Sequence, residues 1–172
     1  KPTAKSVLKM IIDNFNNVID EVGLESRAQE LGLKPYQVLT LASIVEREAS
    51  RDDDRPKVAR VFLNRLDDKM ALQSDATVAY ANKITGRVTT TAQERALQSP
   101  YNTYLNKGLP PGPITAPAKK ALEATLNPAK GDWKYFVVVN LDTGETDFNV
   151  DKAGHDASVQ KFRQFCQTSD KC

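Results

Sequence analysis

Along the first 22 residues the apolar positions fall three and four apart: Leu8, Ile11, Ile12, Phe15, Val18, Ile19 and Val22. That spacing predicts an amphipathic helix over residues 3–22, with Gly23 placed to end it. Residues 24–31 predict a short second helix closed by Gly32, and Pro35 suits the first turn of a third, running to about Ser50. The charge run RDDDR, residues 51–55, reads as a solvated connection. Pro56 then opens a helix with Val58, Val61, Phe62 and Leu66 on one side. Residues 71–82 predict a loop entering a short helix, with Asp75 as its N-cap, and Thr91 with Glu94 has capping-box spacing.

Residues 99–117, SPYNTYLNKGLPPGPITAP, break the periodicity. Five prolines and two glycines exclude a long regular helix or central strand, while the aromatics and amides suit the lining of a groove. Pro117 suits the start of a helix reaching about Leu126. The tail then changes character: YFVVVNLDTGETDFNV has two β-type runs and predicts a hairpin turning at Asp142-Thr143-Gly144, followed by a last helix from about Asp156 to Phe165. The fold class expected is helix-rich α+β with a small C-terminal β-hairpin, in one domain spanning residues 1–172.

The stretch LTLASIVEREAS, residues 39–50, carries the chemistry of interest. On a wheel of about 100° per residue, Val38, Leu41, Ala42, Val45 and Ala49 form an apolar stripe, and Thr40, Ser43 and Arg47 lie opposite. Glu46 and Glu48 fall on the two flanks, roughly 160° apart, so they cannot share one pair. A carboxyl at the rim of an apolar wall can hold its proton near neutral pH, as a general acid must. Periodicity does not choose between the two.

Net charge narrows the class. With 24 basic and 22 acidic residues dispersed along the chain and no basic stripe, nucleic-acid binding is excluded as the expected function. No apolar run approaches the roughly 18–20 residues a membrane helix needs. The chain opens at Lys1 with no methionine or signal peptide and reads as an excised domain. Cys166 and Cys172 form a C-x5-C pair without companion ligands, leaving a small disulfide or two free thiols.

Read in order, LTLASIVEREA, VARVFLNRL, LQSDATVAYA, SPYNTYLNKGLPPGPITAP, ALEATLNPA and the closing YFVV hairpin resemble the endolytic murein transglycosylase (MltG, YceG-like) family over nearly the whole chain. The resemblance implies cleavage of peptidoglycan glycan strands between N-acetylmuramic acid (MurNAc) and N-acetylglucosamine (GlcNAc), leaving 1,6-anhydro-MurNAc ends. It implies no metal or cofactor. An intramolecular hydroxyl of high effective molarity replaces the second carboxylate of ordinary glycosidases, so one acid/base suffices. The family's essential glutamate falls on Glu48, and Glu46 takes a supporting role or a structural salt bridge. Gln73, Ser74 and Asp75 match a cleft-lining segment, with a helix cap an equal reading for Asp75. Tyr101, Asn102, Thr103 and Tyr104 match a YNTY segment expected to contact sugars, some of them as loop packing. Asn64 and Arg65 match an NRL segment expected to hold a buried hydrogen-bond network. Thr146-Asp147-Phe148 departs from the family, whose members often carry a histidine there, and His155, the lone histidine, reads as structural. The family further implies the cell envelope as location, a single N-terminal membrane anchor outside this chain, and glycan-polymerising cell-wall synthesis proteins as partners. A hydrolytic muramidase, with Asp75 as second carboxylate, and a catalytically silent peptidoglycan-binding or divisome module are the competing readings.

Overall fold

The computed structural model describes residues 2–86 and 89–172. Its centre is the helix that carries both glutamates. The first helix, α1 (Ala4–Val22), starts at Thr3, whose hydroxyl and Ser6 form a reciprocal capping box, and ends at Gly23. Gly23 has φ 62°, a left-handed conformation that favours glycine, and lets α2 (Leu24–Glu30) follow at once. Only the last turns of α1 reach the body, where Val22 is buried with Leu24, Ala28, Val38 and Leu126. Leu8, Ile11, Ile12 and Phe15, expected on a core-facing stripe, are exposed. Periodicity tells which face of a helix is apolar, not whether another element covers it.

The third helix, α3 (Pro35–Glu48), has proline in its first turn as predicted. It is buried all round from Thr40 to Val45, because α2, α4 (Arg55–Asp67), α5 (Asp75–Ala81) and α7 (Lys119–Leu126) pack about it. Thr40 and Ser43 are therefore inside rather than on a wet face. Their hydroxyls are satisfied locally, donating to the carbonyls of Tyr36 (2.8 Å) and Thr40 (2.7 Å). Ser43 Oγ also accepts the Ile114 N–H at 3.0 Å, tying the proline-rich segment to the helix. At the other end, Gly112 of that segment sits so close to Tyr36 that a Cβ there would lie 2.5 Å from its hydroxyl.

The charge run is mostly solvated, as expected, but ordered. Asp52–Asp54 form a 3-10 turn, Asp54 is buried, and Asp52 pairs with both Arg55 and Lys120. From α4, Val58 and Phe62 join Leu41, Ile44, Val45 and Leu72 in the main core. Each large side chain fully buried there contributes about 1.5–3 kcal/mol. The polar edge of α4 bonds to the strand-leading segment. Asn64 donates to the carbonyls of Gly131 and Trp133 (3.0 and 2.9 Å), and Arg65 Nε to that of Lys134 (2.6 Å). The buried network expected of Asn64 and Arg65 is present.

After α5, α6 (Ala92–Arg95) forms with the Thr91–Glu94 capping box as predicted. Residues 99–117 contain no helix or strand. The hairpin pairs β1 (Tyr135–Asn140) with β2 (Glu145–Asn149), antiparallel, with a register irregularity between Val138 and Asn140 and Gly144 in the turn. Phe136 meets Phe62 edge-on, 5.9 Å between centroids, locking the hairpin to the core. The last helix, α8 (Lys152–Cys166), packs on β1 and starts four residues before the expected Asp156, because Asp151 caps it by accepting the Gly154 N–H at 2.8 Å. Cys166 and Cys172 are joined in a disulfide just past its end. The architecture is the helix-rich α+β class expected.

Candidate active site

A cleft of about 600 Å³ opens between the C-terminal end of α3 and the hairpin with α8. One wall is Glu48 with Gln73, Ser74, Asp75 and Tyr104; the other is Arg65, Tyr135, Phe136, Lys152 and His155; Phe62 and Leu72 close the floor.

Glu48 is the last residue of α3, where the helix dipole already disfavours negative charge. Its Oε1 accepts the Ser74 hydroxyl at 2.5 Å and the Ala76 N–H at 3.3 Å. Oε2 has no partner among the described residues and is left for a ligand. Burial pushes the carboxyl above its ordinary range and the Asp75 charge adds to this; the Ser74 and Ala76 bonds and the charge of Arg47 act against it. No basic side chain forms an ion pair with Glu48 among the described residues. Glu46, on the opposite flank, accepts Arg55 Nη1 at 2.8 Å and the Ala118 N–H at 3.2 Å. The structure thus separates the two glutamates as the wheel did, and gives Glu46 the salt bridge that was one of its two readings.

The loop that serves Glu48 is held from behind. Gln73 has φ 50°, a left-handed conformation that costs a non-glycine residue about 1–3 kcal/mol unless its surroundings impose it. Thr103 does so: its carbonyl accepts the Gln73 N–H (3.1 Å), and its hydroxyl accepts the Ser74 N–H (3.0 Å) and meets the Thr77 hydroxyl (2.8 Å). Ser74, not Asp75, caps α5, accepting the Thr77 N–H at 3.4 Å. Asp75, the first residue of α5, is freed from that role. Its Oδ1 accepts the hydroxyls of Thr90 (2.5 Å) and Tyr104 (2.8 Å), with Arg95 Nη1 at 3.9 Å. Burial and the bond to Asp75 push the Tyr104 phenol up to about 12.

Of the residues expected against substrate, Gln73, Ser74, Asp75 and Tyr104 share the cleft with Glu48. Asn102 and Thr103 are buried behind it. The Asn102 amide donates to the carbonyls of Arg95 and Leu97 and accepts the Tyr104 N–H, so it folds the loop upon itself. Tyr101 does not line the cleft; its ring packs on Tyr80, 4.8 Å between centroids. The far wall was not foreseen as a wall. Arg65 was expected only as a network residue and His155 only as a structural one, and Tyr135 and Lys152 were not singled out. The signal for Tyr135 and Phe136 was present in the aromatic start of the hairpin, but which strand face meets Glu48 is a tertiary fact.

The YceG-like family model matches residues 1–161. The chain belongs to the YceG-like family. It is 37% identical over 159 residues to the endolytic murein transglycosylase of Bacillus subtilis, across 92% of this chain and 42% of that protein. It is 38% identical over 161 residues to the protein of the same name from Streptococcus pneumoniae strain D39, across 84% of this chain and 28% of that one. A crystal structure of a yceG-like protein from Listeria monocytogenes superposes with a TM-score of 0.82 at 35% identity, covering 91% of this chain and 50% of that one. The chain therefore spans less than half the length of these curated relatives. The disulfide lies beyond the residues matched to the family.

Proposed function

We propose that this chain is a single catalytic domain that cuts peptidoglycan glycan strands internally, as an endolytic lytic transglycosylase with Glu48 as the sole acid and base. The observation that carries the reading is Glu48 itself. A carboxyl held above its ordinary range by burial faces a cleft with one oxygen uncommitted, and only neutral donors bond the other.

In the first step protonated Glu48 gives its proton to the glycosidic oxygen, O4, that bridges MurNAc C1 and GlcNAc C4. The C1–O4 bond breaks and the GlcNAc 4-hydroxyl leaves. The carboxylate so formed is stabilised by the Ser74 hydroxyl and the Ala76 N–H. In the second step it takes the proton of the MurNAc 6-hydroxyl as O6 closes on C1. Protons balance, water is not consumed, and the new end is the 1,6-anhydro sugar. The other cleft carboxylate, Asp75, is engaged by Thr90 and Tyr104, which suits a positioning part better than a nucleophile's. Gln73, Asp75 and Tyr104 are the substrate contacts in this reading, and Glu46 supports the helix through Arg55. The same reading puts the protein in the cell envelope at the outer face of the cytoplasmic membrane. There it would be held by an N-terminal membrane helix outside this chain, beside glycan-polymerising cell-wall proteins.

The test is mass spectrometry of fragments released from uncrosslinked peptidoglycan by the parent chain and by Glu48→Gln. Anhydro ends from the parent and none from the variant are expected. Free reducing ends would make it a hydrolytic muramidase, anhydro ends surviving in the variant would move the acid elsewhere, and no products at all would leave a binding module.

A further inference from the structure

The far wall of the cleft holds a charge that the proposed chemistry does not use. Arg65 is only 7% exposed. Its Nε and Nη1 are spent on the carbonyls of Lys134, Ala71 and Leu72, with Gln73 Oε1 at the limit of bonding (3.5 Å), and its plane lies over the Tyr135 ring at 5.1 Å. Nη2 makes no hydrogen bond, and no carboxylate pairs with the guanidinium, among the described residues. Arginine stays charged; Glu48 acts on it through space without an ion-pair contact, and a charge this far from water ordinarily has a bonded counter-ion. Beside it stands Lys152, whose ammonium is held, among the described residues, by an exposed pair with Asp156 at 2.6 Å, the kind that exchanges readily. His155 completes the wall, its Nδ1 buried and without a partner among the described residues, and burial lowers the pKa of its ring. The cleft thus carries two carboxyl groups, Glu48 and Asp75, and two cations, Arg65 from α4 and Lys152 from α8.

A glycan strand of neutral sugars would have no use for such a field. Muramic acid carries a lactyl ether that ends in a carboxylate when the strand is bare, and in a peptide bearing its own carboxylates when it is not. We propose that Arg65, with Lys152 at the mouth, forms a carboxylate-binding subsite that reads the acidic substituent of the muramyl residue held against Glu48. The planar guanidinium suits a carboxylate oxygen through Nη2, and the lysine adds a mobile second contact. This rests on the glycan-cutting reading above and adds what distinguishes one strand from another.

The test measures binding and cleavage separately. Calorimetry with Glu48→Gln compares a tetrasaccharide of two GlcNAc–MurNAc repeats having free lactyl carboxylates, its methyl amide, and peptide-bearing forms with stem carboxylates intact or esterified. The free carboxylate is expected to bind about ten times tighter than the amide, the worth of one charge-assisted contact. The ratio should shrink in the Lys152→Ala background and fall to near one with Arg65→Gln. Lys152 is exposed, so its variant keeps the experiment readable if the loss of Arg65 unfolds the chain. Preference for intact over esterified stems, without preference for the bare carboxylate, would assign the subsite to the peptide. Equal affinity for charged and neutral forms overturns the subsite, and the glycan reading survives if the parent still releases anhydro ends from both. Absence of any binding and of any cleavage overturns both.

Discussion

Glu46 and Glu48 sit two residues apart on one helix, and their surroundings are opposites. Glu46 meets a guanidinium, Arg55, that also holds Asp52, in a largely buried ion pair away from the cleft. Glu48 meets a hydroxyl and a backbone N–H, in a cleft where burial and Asp75 both disfavour its charge. A cation partner fixes a carboxylate in its charged form and makes it structural. Neutral donors favour the charged form too, but here burial outweighs them, which leaves a group that can both give and take a proton. Identity of residue explains neither outcome; the partner does.

The comparison breaks first at Glu48→Gln. Cleavage of uncrosslinked strands should fall about a thousandfold, within the usual worth of a general acid and base. Its stability should move the other way. The folded Glu48 carboxyl lies above its ordinary value of 4.5, so its contribution to stability is present below that pH and is lost as pH rises through the folded value. Chemical denaturation should therefore show the variant gaining on the parent as pH rises from about 4.5, with no gain below.

Glu46→Gln should do the reverse. Loss of the ion pair and of a charged acceptor should cost about 1–2 kcal/mol in urea titrations while cleavage stays within a few-fold of the parent. A thousandfold loss of cleavage in a folded Glu46→Gln would exchange the two roles.

Finer effects belong to pH profiles. Activity needs protonated Glu48 at the start, so it should fall on the alkaline side as that proton is lost. Ser74→Ala removes a bond that favours the carboxylate, and should carry this limb to higher pH, with about 1 kcal/mol of stability lost with the α5 cap. Asp75→Asn removes a nearby negative charge and should carry the limb to lower pH, the smallest shift of the set. Limbs that move together, or not at all, would show that the profile reports some other group.

The local parts of this fold were legible because local rules decide them. Pro35, Gly23, the Thr91–Glu94 box and the hairpin turn act within a few residues of themselves, and each stands where its chemistry put it. The separation of Glu46 from Glu48 follows from helical geometry alone. What was not legible depends on packing. Thr40 and Ser43 look like a wet face until neighbouring helices cover them, because a hydroxyl bonded to the preceding turn can be buried at little cost. The apolar stripe of α1 looks like a core face, yet most of it lies beyond the body. Asp75 read equally well as a helix cap or a cleft residue; Thr90 and Tyr104, distant in sequence, engage its carboxylate while Ser74 takes the cap. The cationic wall was hidden for the same reason, since Arg65 shows its second role only once the hairpin closes over it.

One contact at the far end of α3 stands apart from the chemistry at the near end. The Tyr36 hydroxyl occupies the space that a side chain at Gly112 would need, so the proline-rich segment and the first turn of the helix fit as key and keyhole. Twelve residues on from Tyr36, a fourteen-residue rod of roughly 21 Å ends in Glu48. With its middle buried on every side, that rod is gripped along its length. A methyl group added at Gly112 would crowd only the far end of an exposed tyrosine, which is free to swing out into solvent, so the proline-rich segment can change at that point while the acid at the other end of the rod stays where it is.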